Sequence, residues 1–202
     1  MLKEKQFWDW FKENEAKFYF LGQVDDEDEK ESILDDFLAN LHLYCDKLYF
    51  EIGGYPNEKQ DLIITAEGNT DFFDNVEYLV KQAPQLEYWN VIAFKPAVEG
   101  GIIEYNDIRL ESETMYFIPL GNKSSQKIGL RIYVNNYNTT KEKDFSTATY
   151  LMLDNILGEK SNALNIGYVE VEGLPSISER EELIELIKLP RYIEWKKSKI
   201  NS

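Results

Sequence analysis

From Ile33 to Leu48 the apolar residues fall three and four apart, and directly after Leu48 they fall two apart. That change of period constrains the fold more than any other feature. Ile33, Leu34, Phe37, Leu38, Leu41, Cys45 and Leu48 make one stripe on a helix predicted over 29–47. Leu48 to Ile52 then alternates as a strand, Gly53 to Asn57 carries turn chemistry, and Asp61 to Glu67 is the antiparallel partner strand. A chain that passes from one period to the other in adjacent segments packs helices against a sheet.

The same grammar continues downstream. Asn69 or Thr70 can cap a helix bearing Phe72, Phe73, Val76, Leu79, Val80 and Ala83, which Pro84 ends. Trp89 to Lys95 is the next strand, closed by Pro96 and later by Gly100-Gly101. Met115 to Leu120 and Lys127 to Asn136 are strands on either side of a turn-rich connection. Asp144 or Ser146 can cap a helix with Ala148, Leu151, Met152, Asn155 and Ile156 on one face, ending at Gly158, and Leu164 to Val171 is a strand. Strand–strand–helix–strand therefore occurs at 48–96 and again at 115–171, an order that suggests an internal pseudo-repeat.

Helices flank both copies. Lys3 to Phe20 places Phe7, Trp10, Phe11, Phe18 and Leu21 near helical spacing, so N-terminal helices fill 3–47. Ser178 and Glu181 match a capping box that opens a C-terminal helix over 178–189, stopping near Pro190, with Tyr192 and Trp195 anchoring the tail. The expected fold is α+β within one domain of 1–202: an antiparallel or mixed sheet, or two, built from the repeated units.

Composition permits such a core. Of 202 residues 43% are hydrophobic, with 13 Tyr, 11 Phe and 4 Trp, enough to fold without covalent staples. Cys45 is the single cysteine, so no intrachain disulfide forms. Met1 to Gln6 leads into a charge-interrupted amphipathic stretch, not an apolar signal core, and no run approaches the roughly 18 apolar residues of a membrane span. A cytoplasmic location is the expectation.

Charge narrows the partners. There are 37 acidic and 22 basic residues, a net charge of −15, and the acids are concentrated. Asp25 to Asp36 holds eight acids and one lysine, and Glu170 to Glu185 six acids and one arginine. Asp25, Asp26 and Asp28 of the first block are candidate interaction residues, and part of that block also suits the positive end of a helix dipole. Lys188, Arg191, Lys196, Lys197 and Lys199 form a small basic cluster against Glu194. Polyanions bind by releasing counterions onto lysine and arginine, so nucleic acid and anionic membranes are poor partners for this surface. A cationic protein would be steered toward it, and a homo-oligomer is compatible with it.

Catalytic chemistry finds little purchase. His42, the single histidine, borders a packed helical stripe, and Cys45 lies in that stripe beside Asp46, not in the electropositive setting a nucleophilic thiolate needs. The acids at 25–29 are contiguous and lack the spaced pattern and central glycine of a calcium loop. Gly53-Gly54 and Gly100-Gly101 are paired turn glycines, not a phosphate loop, and no cofactor is expected. With so many acids some carboxylates must lie close together, which leaves open a hydrolase or small-ligand enzyme using carboxylates in a cleft between the two units.

The strand at 127–137 carries more information. Leu130, Ile132 and Val134 point one way and Arg131, Tyr133, Asn135 and Tyr137 the other, with Tyr116 and Tyr168 expected on that second face. Tyrosine joins large apolar area to a polar tip and is common at interfaces. Either the N-terminal aromatic helix or the other half covers this face, or it is a protein-binding surface.

Asp61 to Gly68, then Phe73, Val76, Leu79-Val80 and Ala83-Pro84, then Trp89 to Pro96 resemble a pattern in a family of uncharacterised bacterial proteins. The resemblance implies strand–helix–strand over 61–96 and assigns neither an activity nor a functional residue. The expected function is non-enzymatic protein binding, as an adaptor, a regulator or a toxin-neutralising partner.

Overall fold

A computed structural model describes residues 3–55, 58–121 and 127–200, with only the backbone described at 177–179 and 200. The fold is α+β, and the chain divides into two compact units, Met1–Lys95 and Pro96–Ser202.

Aromatic packing organises the first unit. Helices α1 (Lys3–Tyr19) and α2 (Glu27–Tyr44) bury Phe7, Trp8, Phe11 and Phe18 from one and Phe37 and Leu41 from the other. Phe37 meets the rings of Phe7, Trp10, Phe11 and Phe18 edge-on at centroid distances of 5.0 to 5.9 Å. Its ring also stacks on Phe50 at 3.9 Å. Trp8, outside the predicted stripe, is buried and donates its indole N–H to the Leu79 carbonyl at 2.9 Å.

Strands β1 (Tyr49–Gly53) and β2 (Gln60–Thr65) pair antiparallel, as predicted, with Gly53 opposite Asp61. Helix α3 (Phe73–Lys81) follows a short 3₁₀ turn capped by Asn69, and β3 (Trp89–Ala93) then returns parallel to β2. The sheet is mixed, in the order β1-β2-β3. Register aligns Phe50 with Ile64 and Ala93, and Ile52 with Leu62 and Val91. Because Phe50 packs on Phe37 and Trp89 on Phe11, this is the face that α1 and α2 cover. Phe94 then adopts φ +68°, unusual for a bulky side chain. Its N–H bonds to the Ile64 carbonyl at 2.9 Å and its ring packs on Phe73 at 4.6 Å, which hold the turn. Lys95 then reaches Glu51 at 2.9 Å and Glu67 at 3.1 Å.

The second unit opens with a hairpin that the sequence reading passed over. Strands β4 (Ile102–Tyr105) and β5 (Ile108–Glu111) pair across Asn106-Asp107, with Asn106 at φ +52°. Asparagine tolerates that left-handed conformation better than most residues. Strands β6 (Tyr116–Leu120) and β7 (Ile128–Val134) are antiparallel, and β8 (Ile166–Gly173) runs parallel to β7 after α4 (Glu142–Leu157) and α5 (Glu159–Asn165). Strand β9 (Ile184–Glu185) completes the order β8-β7-β6-β9. The two strand sets thus belong to separate sheets, each with one antiparallel and one parallel pair around its β2 or β7 strand.

Ile128, Leu130, Ile132 and Val134 face one core with Phe117, Ile108, Leu110, Met152, Leu153 and Ile156. Several expectations change here. Helix α4 starts at Glu142, ahead of both predicted caps, because Asn138 caps a preceding 3₁₀ turn through the Thr140 N–H at 3.0 Å. Leu151 is exposed, while Phe145, Thr149 and Leu153 are buried. Asn155 holds the Gly100-Gly101 turn, donating to the Gly100 carbonyl at 2.8 Å. Gly101 sits at φ +145°, and a Cβ there would come within 2.6 Å of the Asn155 amide.

The C-terminus departs furthest. The α-helix expected over 178–189 does not form; 3₁₀ turns at Ile177–Glu182 and Leu186–Lys188 flank β9, and the C-terminal helix is α6 (Leu189–Ile200), which only begins at Leu189. The reason is that Ile184 pairs with Phe117 and the Leu186 N–H bonds to the Met115 carbonyl, so this segment completes the sheet. Pro190 lies in the first turn of α6, where its missing N–H has no partner to lose, so it begins the helix it was expected to end. The Ser178 side chain lies outside the described residues.

Candidate functional site

The face of the second sheet away from its core is built by register. Tyr116, Tyr133 and Glu172 form one row, with Glu185 beside Tyr116. Ile118, Arg131 and Glu170 form the next, and Leu120, Gly129 and Tyr168 the third. Tyr116, Arg131, Tyr133 and Tyr168 are therefore brought together on the predicted face. Their exposure differs: Tyr168, on edge strand β8, is 57% exposed, Tyr116 is half-buried and Tyr133 is buried.

Arg131 is the electrostatic centre. Its Nε donates to Glu170 at 2.7 Å and lies 3.0 Å from Glu172. The hydrogen bond to Glu170, then one to Tyr133, raise the pKa of the guanidinium above its ordinary value and keep it charged. The charge of Glu170 beside Tyr168 raises the pKa of that phenol too, so it stays a neutral hydrogen-bond donor near neutral pH. One guanidinium answers two carboxylates, leaving the face a negative excess. Glu185 is paired separately with Lys188 at 2.8 Å.

Asn135 and Tyr137 do not join this face. Strand β7 stops at Val134 and Asn136 turns at φ +56°, so the alternation ends with the strand. Tyr137 packs on Phe145 at 5.1 Å, against the core on the helix side. Asn135 lines a polar cleft of about 270 Å³ with Asp107, Arg109, Asn138 and Lys141. The charges there are already engaged, Lys141 with Asp107 and Arg109 with Glu104 and Glu111.

The first acidic block is divided by the helix it precedes. Asp26 is the N-cap of α2, its Oδ1 accepting the Glu29 N–H at 3.0 Å, and Glu27, Asp28 and Glu29 occupy the first turn. Asp25 and Asp28 are exposed. Capping exchanges an orphan donor for a hydrogen bond. Asp26→Ala is accordingly expected to cost about 1 kcal/mol in urea unfolding, while Asp25→Ala stays within about 0.5 kcal/mol. Equal effects would mean that the cap is dispensable.

His42 is occupied structurally, its Nε2 donating to the Leu48 carbonyl at 3.0 Å. Cys45 is the C-cap of α2 and half-buried, less enclosed than its place in the stripe implied. Among the described residues no three His, Cys, Asp or Glu side chains converge as a metal-holding group, and no helix is long and apolar enough to cross a membrane.

A second concavity escaped the sequence reading. Glu15, Ala16, Tyr19, Phe20, Tyr88 and Trp89 line a largely apolar cleft of about 380 Å³ in the first unit. Its two halves are far apart in sequence. The one local signal was an aromatic pair at each place, Tyr19-Phe20 just past the α1 stripe and Tyr88-Trp89 at the start of β3.

No protein-family model matches this chain, and searches of curated proteins and of solved structures found no match.

Proposed function

We propose that this chain is a non-enzymatic, cytoplasmic binding protein that captures a cationic protein partner on the tyrosine-bearing face of its second sheet, as an adaptor, a regulator or a toxin-neutralising partner. The observation that carries this reading is the exposed Tyr168 on edge strand β8 beside Glu170 and Glu172, which share a single guanidinium. A tyrosine ring offers contact area at low entropic cost, and an acidic surround speeds the encounter with a basic surface. A net charge of −15 extends that steering beyond the face itself.

The experiment is capture from the native host at low and then moderate salt, with the wild-type chain and a Tyr168→Ala/Glu172→Gln variant side by side. Basic proteins are expected on the wild type, lost on raising the salt, and reduced about tenfold or more by the variant. Capture of the same proteins by both chains, or of nothing cationic at low salt, would overturn the reading.

A further inference from the structure

We propose that the cleft between the end of α1 and the start of β3 receives a lysine side chain of a partner polypeptide. It is built from the first unit alone and does not depend on the reading of the second sheet.

Four aromatic residues, one alanine and one acid line the cleft. The Tyr19 ring lies 5.1 Å from Phe20, 5.5 Å from Tyr88 and 6.3 Å from Trp89, so it touches each of the other three rings that line the cleft. Phe20 is 50% exposed and Tyr88 49%, an open wall for a residue type that usually buries its ring. The volume, about 380 Å³, lies within the range of ligand sites.

Two of the residues that line the cleft each carry a buried polar atom without a partner. Glu15 Oε2 and Trp89 Nε1 are each shut off from water and have no hydrogen-bond partner. Leaving a buried acceptor or donor unmet costs free energy, and more so for a charged group. A lysine ammonium supplies three donors and no acceptor, the complement of an ionised carboxylate.

The remaining chemistry selects against other occupants. Ring faces attract cations, and the alkyl stem of lysine lies comfortably along apolar walls while its head meets the acid. An anion would face Glu15 and the carboxylate of Glu87, whose charge and hydrogen bond raise the pKa of the Tyr88 phenol. A wholly apolar side chain would leave Glu15 unanswered.

The test is a titration of ¹⁵N-labelled protein with tetralysine at low ionic strength, read at the Trp89 indole N–H resonance. The resonance is expected to shift to saturation. Glu15→Gln and Tyr88→Ala should each weaken binding by about tenfold. Glu13→Gln changes the net charge equally from an exposed position on the same helix, and should stay within about twofold of wild type. Tetralysine acetylated at its ε-amines, which keeps the stem and loses the charge, should not shift the resonance. Equal binding of the acetylated peptide, equal losses from Glu13→Gln and Glu15→Gln, or no shift at all would each overturn the proposal.

Discussion

Phe37→Ala is expected to destabilise the first unit by about 3–5 kcal/mol, the largest single effect foreseen in it. Phe37 is fully buried and is the ring on which both helices and the sheet converge, since Phe7, Phe11, Phe18 and Trp10 approach it from α1 and Phe50 from β1. Removing it takes away the transfer free energy of a phenyl group and leaves a cavity walled by large, rigid side chains that collapse poorly. Tryptophan fluorescence during urea unfolding is a suitable readout, because Trp8, Trp10 and Trp89 lie in this unit and only Trp195 in the other. Leu43→Ala, at a side chain 69% exposed on the same helix, should change stability by less than about 0.5 kcal/mol. A loss below about 1 kcal/mol for Phe37→Ala would show that the aromatic cluster does not hold the helices to the sheet.

Ile193→Ala is expected to cost about 2–5 kcal/mol in the second unit. The prediction distinguishes a packed C-terminal helix from an anchored tail. Leu189 and Ile193 of α6 are 0% and 3% exposed and belong to the same core as Phe117 and Met152. Tyr192 adds an edge-on contact with Phe117 at 5.5 Å. Thermal unfolding followed by circular dichroism would register the change, with the exposed Trp195→Ala as comparison. If the two substitutions were equally mild, α6 would not be part of the core.

How much of this was legible follows from the residues themselves. The first unit was read almost element by element because its helices are long enough to show a full stripe and its strands lie beside clear turn residues. Hairpin β4–β5 was missed although Ile108 and Leu110 alternate with Arg109 and Glu111 and Asn106-Asp107 sits between the strands. Four-residue strands show too few repeats to outweigh the glycines and prolines around them. At the C-terminus the ambiguity lay in Pro190, which stops a helix from within and starts one from its first turn. The sequence alone does not say which side of the proline the helix occupies.

The sheet face was legible for Tyr116, Arg131, Tyr133 and Tyr168 because alternation is geometric wherever a strand persists. It failed for Asn135 and Tyr137 because the strand had ended. The aromatic cleft lay beyond reach for a different reason. Tyr19 and Tyr88 become neighbours only when β3 docks beside the end of α1, and no local period encodes a contact across that much chain.

The mixed pairing of each sheet also gives its contacts unequal chain-closure costs. In the second unit β6 meets β7 across Leu120 to Gly129, whereas β7 meets β8 across Ile128 to Ile166. The second loop is roughly four times longer, so closing it costs about 1 kcal/mol more in chain entropy. Loop closure thus favours the antiparallel pair over the parallel edge strand as the first contact, and the same holds for β1–β2 against β3 in the first unit. Tyr168 rides on the strand with the longer closure, so the face that bears it needs that costlier contact in addition to the hairpin beside it.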